Sequence, residues 1–202
     1  MTRQPRILGI VTAAGRSRRM GTAKALLPVG GRPMVVGVVD ALMEGGVDEA
    51  VVVISRAIEQ AIALPAWHRS VQVVVNDDPD GPMIASVRLG LAAYEASGTV
   101  KRHDGILVCP CDAAGLAAAD VRRCVESFVR EPGRIVIASR DGCRGHPLIF
   151  PVPLIEAVKS EECEQGLNHL ARNRPGWVTL VPCSSAGTVA NVNTPQDYDR
   201  LP

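Results

Sequence analysis

The chain has 202 residues, enough to bury one sizeable core, and a single α/β domain is the default organisation. A net charge of +1 leaves no general basic field for nucleic acid, and 3% aromatic content argues against stacking platforms for single strands. No run approaches the roughly 18 apolar residues of a membrane span, and the first strand starts almost at once with no signal peptide ahead of it, so no membrane partner and a cytoplasmic location are expected.

In chain order, Ile7 to Val11 reads as a buried strand. Pro33 is placed to open a helix in which Val35, Val36, Val39, Leu42 and Met43 recur at 3.6 spacing, and Gly45-Gly46 to end it. Ala50 to Ile54 is a second strand, followed by a helical stretch to about Leu64. Val71 to Val75 is a third strand, Asn76 to Gly81 a polar turn, and Ile84, Val87 and Leu91 mark a helix to about Ala96. Ile106 to Cys109 is a fourth strand, Val121, Cys124, Val125 and Phe128 mark a helix, and Arg134 to Ala138 is a fifth strand. Continuous apolar strands, each followed by a helix or a loop leading to one, predict a three-layer α/β/α fold with a mostly parallel sheet.

After Ser139 the rhythm changes. Gly142 to Pro153 is rich in Gly and Pro around a short run, Leu148 to Phe150. Helices are expected near Leu154 to Val158 and Gln165 to Asn173, short strands at Val178 to Val181 and Thr188 to Asn191, and a helix start at Thr194-Pro195. This last third reads as an appendage to the same sheet, so residues 1–202 are expected to form one domain. Cys109, Cys111, Cys124, Cys143, Cys163 and Cys183 are scattered, with no second pair to complete a zinc site, and are read as small buried hydrophobes.

In an open parallel sheet, ligands bind beyond the carboxyl ends of the strands. Three loops leave those ends with chemistry in them: Ala13 to Lys24, Asn76 to Gly81 and Pro110 to Gly115. The first gathers Ala13, Ala14, Gly15, Ser17 and Gly21 with Arg16, Arg18, Arg19 and Lys24. Small residues let backbone N–H groups approach an anion, so this loop is a candidate polyphosphate cradle. It contains neither G-x-x-x-x-G-K-[ST] nor G-x-G-x-x-G, which excludes a Walker loop and a dinucleotide fingerprint. Asp112, just past the fourth strand, is placed either to hold Mg²⁺ or to cap a helix.

The loop resembles the signature [LT]-A-[AG]-G-x-S-x-R-M-G-x-x-K of the MobA-like nucleotidyltransferases, with Thr12, Ala13, Ala14, Gly15, Ser17, Arg19, Met20, Gly21 and Lys24 at every specified position. The resemblance runs from the first strand to the last helix start. It implies the Rossmann-like nucleotide-diphospho-sugar transferase fold. It places nucleotide binding on Thr12 to Gly15, Ser17, Arg19 and Lys24, with Gly81, Ser86 and Gly90 lining the base pocket. Ser86-Val87-Arg88-Leu89-Gly90 fits the S-[VL]-[RK]-x-[GA] segment, although Pro82 stands where the family often has Gly. Arg144-Gly145-His146-Pro147 resembles the R-G-H-P of the molybdenum cofactor cytidylyltransferases and is read as acceptor wall. Taken alone, a His before Pro is an ordinary hydrogen-bonded turn residue.

The resemblance implies Mg²⁺ on Asp112, with Asn193 as second ligand and Asn191 nearby. The cytidylyltransferase branch usually has D-I-D-T-P there; the asparagines here match the guanylyltransferase N-x-N-T-P, and Ala113-Ala114 departs from x-P. The implied reaction joins a nucleoside triphosphate to a phosphate-bearing acceptor of molybdopterin type, with Arg19, Lys24 and Asp112 as catalytic residues and CTP preferred through T-A-A-G and R-G-H-P. A molybdoenzyme or its chaperone is an implied partner. The alternatives are a guanylyltransferase of the same fold, a catalytically silent nucleotide-binding or chaperone module and, more distantly, a sugar-1-phosphate nucleotidyltransferase.

Overall fold

The computed structural model describes residues 3–62, 70–98 and 102–201. Its strands are β1 (Ile7–Ala13), β2 (Pro28–Val29), β3 (Arg32–Pro33), β4 (Glu49–Ser55), β5 (Val71–Asn76), β6 (Gly105–Pro110), β7 (Ile135–Arg140), β8 (Cys143–Pro151) and β9 (Val178–Pro182). Seven of them form one sheet in the order β5-β4-β1-β6-β8-β7-β9, and β2 and β3 make a small separate hairpin. β1 pairs parallel with β4 and β6, β4 with β5, and β7 with β9, whereas β8 runs antiparallel to both β6 and β7. The mostly parallel sheet is thus as expected from the apolar runs.

Alternate strand residues face opposite layers. Val11, Val52, Leu107 and Ile149 pack with helices α1 (Met34–Glu44) and α4 (Ala118–Arg130), and with Ile58 of α2 (Arg56–Ala61). Ile10, Val53, Val108 and Leu148 pack on the other face with α3 (Met83–Ala96), α5 (Ile155–Lys159) and α6 (Asn168–Arg172). Each such aliphatic side chain contributes roughly 1.5–3 kcal/mol by leaving water. A last short helix, α7 (Pro195–Asp199), carries a capping box: the Asp197 N–H donates to Thr194 Oγ1, and the Thr194 N–H donates to the Asp197 carboxylate. Among the described residues no helix is long and apolar enough to cross a membrane.

The structure departs from the sequence reading in the last third. Leu148 to Phe150 is the buried end of a nine-residue strand, β8, which pairs with two neighbours in the sheet interior. Thr188 to Asn191 is not a strand. Ala186–Thr188 makes one 3-10 turn instead, because Gly187 lies against Ala114 O and the Leu116 backbone N with no room for a side chain. The helix expected over Gln165 to Asn173 starts only at Asn168. Five cysteines are buried, but Cys143, at the start of β8, is exposed. The expected helix end near Leu64 lies outside the described residues.

Because β1, β4, β5 and β6 are parallel, the loops leaving them emerge on one edge. β8 runs the other way, so its beginning, and not its end, reaches that edge. Arg144 to Pro147 therefore arrive beside the loop after β6.

Candidate active site

The loop after β1 is held in shape by Ser17. Its hydroxyl donates to Gly15 O at 3.4 Å and accepts from the Lys24 N–H at 3.2 Å. Ser17 sits at φ 52°, a left-handed conformation that costs a non-glycine residue free energy. Two single 3-10 turns follow, Arg18–Met20 and Lys24–Leu26.

Thr12, Ala13, Ala14, Gly15, Lys24, Gly81, Ser86 and Asp112 line one cavity of about 200 Å³. The three loops named from the sequence contribute to this one space. On its far side Asn76 donates through Nδ2 to Ser86 Oγ at 3.1 Å and accepts from the Asp78 N–H at 2.9 Å. A side chain at Gly81 would come within 2.8 Å of the Asp78 carboxylate, so glycine keeps this turn tight. Gly90 does not line the cavity. It lies farther along α3, where a Cβ would meet Ile10 at 2.9 Å, and its smallness serves helix–sheet packing.

At the floor, Lys24 Nζ forms an ion pair with Asp112 Oδ2, and also donates to Val192 O at 3.3 Å and Asn193 Oδ1 at 3.4 Å. Arg19, although exposed, donates to the same Asn193 Oδ1 at 3.3 Å. The capping box of α7 anchors Asn193, whose N–H donates to the Asp197 carboxylate at 3.0 Å. That bond first, then the Thr194 hydroxyl, holds the Asp197 carboxyl below its ordinary range. Asp112 is buried, and it is not a helix cap, since the N-cap of α4 is Ala117. Its Oδ1 is buried without a hydrogen-bond partner among the described residues. An anionic oxygen left so is costly unless a cation completes it. The residues present therefore fit a hard divalent cation on Asp112 and Asn193. Among the described residues no group of three or more His, Cys, Asp or Glu could hold a metal, so this site offers one carboxylate plus neutral oxygens.

Arg16 and Arg18 point elsewhere. Both pair with Asp80, at 3.0 Å and 2.6 Å, across the mouth between the first and second loops.

A second cavity of about 430 Å³ shares Met83, Pro110 and Asp112 with the first, so Asp112 stands where the two meet. Gly145, His146 and Asn191 line it; Arg144 and Pro147 do not. Gly145 is there because the Thr188 carbonyl crosses it: a Cβ would lie 1.9 Å from that oxygen. Burial holds the His146 imidazole below its ordinary value, with the Asp112 carboxylate pulling weakly the other way.

Glu164, Gln165 and Asn168, which no sequence motif marks, also line this cavity, together with the apolar Ile84, Val108 and Leu148. The one local signal was Gly166, at φ 118° between Gln165 and Asn168, which marks a turn and not a helix start. Sequence reasoning also passed over Asp78 in the first cavity.

The MobA-like NTP transferase domain family matches residues 9–177. Over 98% of the chain and 97% of its own length, the nicotine blue oxidoreductase of Paenarthrobacter nicotinovorans is 33% identical. A 2-C-methyl-D-erythritol 4-phosphate cytidylyltransferase of Nocardia farcinica is 40% identical over 95% of the chain and 70% of its own length. A probable molybdenum cofactor guanylyltransferase of Rhodopirellula baltica is 30% identical over 96% and 90%. Among solved structures, Rv0371c from Mycobacterium tuberculosis superposes with a TM-score of 0.79 at 26% identity, covering 97% of both chains. A nucleotidyl transferase from Methanothermobacter superposes with a TM-score of 0.74 at 26% identity over 97% and 95%.

Proposed function

Because this chain belongs to the MobA-like NTP transferase domain family, we propose that it transfers a nucleoside monophosphate, CMP from CTP, to a phosphate-bearing acceptor of molybdopterin type and releases pyrophosphate. One observation carries this reading. The phosphate loop, the Asn76–Gly81 turn and Asp112 line one cavity, and Asp112 also opens onto a second cavity large enough for an acceptor.

A phosphate monoester dianion is already a nucleophile, so the chain's task is positioning and charge neutralisation. Backbone N–H groups at Ala13 to Gly15, with Arg19, hold the β- and γ-phosphates. Lys24 neutralises charge near the α-phosphate. Asp112 and Asn193 would hold a divalent cation, Mg²⁺, which would neutralise phosphate charge when bound. Gly145 and His146, with Gln165 and Asn168 in the same lining, form the acceptor wall. The His146 imidazole is neutral near pH 7, since burial disfavours its charged form.

T-A-A-G and R-G-H-P support cytosine, as does the 40% identity to a cytidylyltransferase. Asp78 supports guanine as a second reading. A carboxylate accepts two adjacent donors from guanine, N1–H and N2–H, but only N4–H from cytosine. The asparagine pair and the guanylyltransferase relative point the same way. The loop's cations and its lack of a dinucleotide fingerprint favour nucleotidyl transfer over hydride transfer, despite the oxidoreductase relative.

The test is pyrophosphate release with each common triphosphate and Mg²⁺, with and without a molybdopterin-type acceptor. Acceptor-dependent release with CTP supports the proposal, and equal or greater release with GTP promotes the guanine reading. Nucleotide binding without release in any mixture leaves a silent binding module.

A further inference from the structure

We propose that Lys24 is a counter-ion latch on the divalent-cation site, so that a triphosphate must draw its ammonium away before the metal can bind. This rests on the functional reading above and adds an order to it.

The candidate ligands of the cation are the Asp112 carboxylate and the Asn193 amide oxygen, with the Val192 carbonyl beside them. Lys24 Nζ bonds to all three residues: to Asp112 Oδ2, to Val192 O at 3.3 Å and to Asn193 Oδ1 at 3.4 Å. Arg19 adds a second donor to Asn193 Oδ1. The oxygens that a hard cation needs are thus in the grip of the phosphate loop's own cations.

An ammonium and a divalent ion compete for these oxygens, because like charges a few ångströms apart repel strongly where water is scarce. Here it is scarce: the side chains of Lys24 and Asp112 are 18% and 11% exposed. Salt screens such a pair poorly.

The latch can move without moving the loop. The Lys24 backbone is fixed, its N–H bonded to Ser17 Oγ and its carbonyl accepting from the Leu27 N–H at 3.0 Å. Its four-carbon side chain is free to swing into the cavity that Lys24 already lines. A triphosphate there offers more negative charge than one carboxylate. When Lys24 turns to it, Asp112 is left with both oxygens open, Oδ1 being unpartnered already among the described residues. Nucleotide and metal then bind cooperatively, with Lys24 as the coupling element.

Titration with Mn²⁺ alone, followed by electron paramagnetic resonance and without nucleotide, tests the latch. Wild type should bind weakly. Lys24→Met should bind Mn²⁺ at least roughly tenfold more tightly, a gain of about 1.4 kcal/mol. Lys24→Arg, which keeps the charge, should stay weak, and Lys24→Met combined with Asp112→Asn should lose the gain. If Lys24→Met does not fold by circular dichroism, Lys24→Gln takes its place with the same expectation. The proposal is overturned by a folded neutral variant that binds no better than wild type, or by a gain that survives the loss of Asp112. Tight binding by wild type itself also overturns it. Pyrophosphate release by wild type is scored separately: if no triphosphate turns over, the functional reading fails while the Mn²⁺ titration still decides the latch.

Discussion

The two cavities that meet at Asp112 are built in different ways. The first lies at the carboxyl ends of parallel strands, and loops leaving those ends supply most of its lining. It is ionic: Lys24 pairs with Asp112 inside it, while Arg16 and Arg18 of the same loop pair with Asp80 outside its lining. The second is bounded by the reversed strand β8 and by the irregular Glu164 to Asn168 segment. Among the described residues that line it there is no Lys or Arg; its polar groups are the amides of Gln165, Asn168 and Asn191, the buried His146 imidazole and the carboxylates of Asp112 and Glu164. A triphosphate needs neutralisation, whereas an acceptor body needs selection. The contrast predicts that charge changes in the first cavity act on chemistry, and that changes in the second act on acceptor affinity.

The largest effect is expected at the junction. Asp112→Asn keeps the shape and removes the one carboxylate, among the described residues, of the proposed cation site, so turnover should fall about 10²–10³-fold in a pyrophosphate-release assay. Full activity would mean that other residues hold the metal. Next come the loop cations. Lys24→Ala and Arg19→Ala should each lower kcat/KM by more than about tenfold, roughly 1.4 kcal/mol of transition-state stabilisation. Arg16→Ala should cost less than about threefold, because Arg16 is held by exposed Asp80 and exposed pairs contribute little. Equal losses at all three positions would reduce the phosphate loop to a general basic patch.

The same contrast explains what could be read from the sequence. The first cavity was legible because each of its parts is local: an apolar run, then a loop of small residues and cations, then Asp112 directly after another run. Parallel pairing brings such loops together without further information. The second cavity depends on contacts between distant segments. Gly145 is legible only once the Thr188 carbonyl is known to cross it, and Gly187 only once the Ala114–Leu116 backbone is beside it. Thr188 to Asn191 reads as a short strand, but these contacts impose a 3-10 turn over Ala186–Thr188. Strand β8 was hidden because Gly145 and Pro147 break its pattern, and both fall outside its pairing with β6, which begins at Leu148. Gly90 was read from its motif as base pocket, whereas its smallness is explained by Ile10 beneath α3.

A substitution on the newly seen wall sharpens the comparison. Asn168→Ala removes an amide that lines the second cavity and no residue that lines the first. It should raise the acceptor KM about fivefold, on the order of one hydrogen bond, and leave the triphosphate KM unchanged. Steady-state kinetics with each substrate varied in turn separates the two. A rise in the triphosphate KM instead would mean that the cavities are divided differently.

The smallest effect concerns His146 and pH. Burial lowers its pKa in the folded protein from the ordinary 6.5, against a weaker upward pull from Asp112. Below about pH 6.5 the unfolded chain binds a proton at this residue that the folded chain refuses, so stability rises with pH across that window and falls as pH drops toward the folded pKa. Well above pH 6.5 both states are neutral and the residue adds no slope. The carboxyls held low in the fold, Asp120, Glu162 and Asp197, respond only near and below 4.5, so they do not overlap the window. Urea midpoints measured at pH 8, 6.5 and 5.5 should therefore decline at the acid end in wild type and decline less in His146→Gln. Adding Asp112→Asn to wild type removes the upward pull and should steepen the decline. Identical profiles for wild type and His146→Gln would show that this imidazole is freely protonated, and the second cavity would then carry a cation in mild acid.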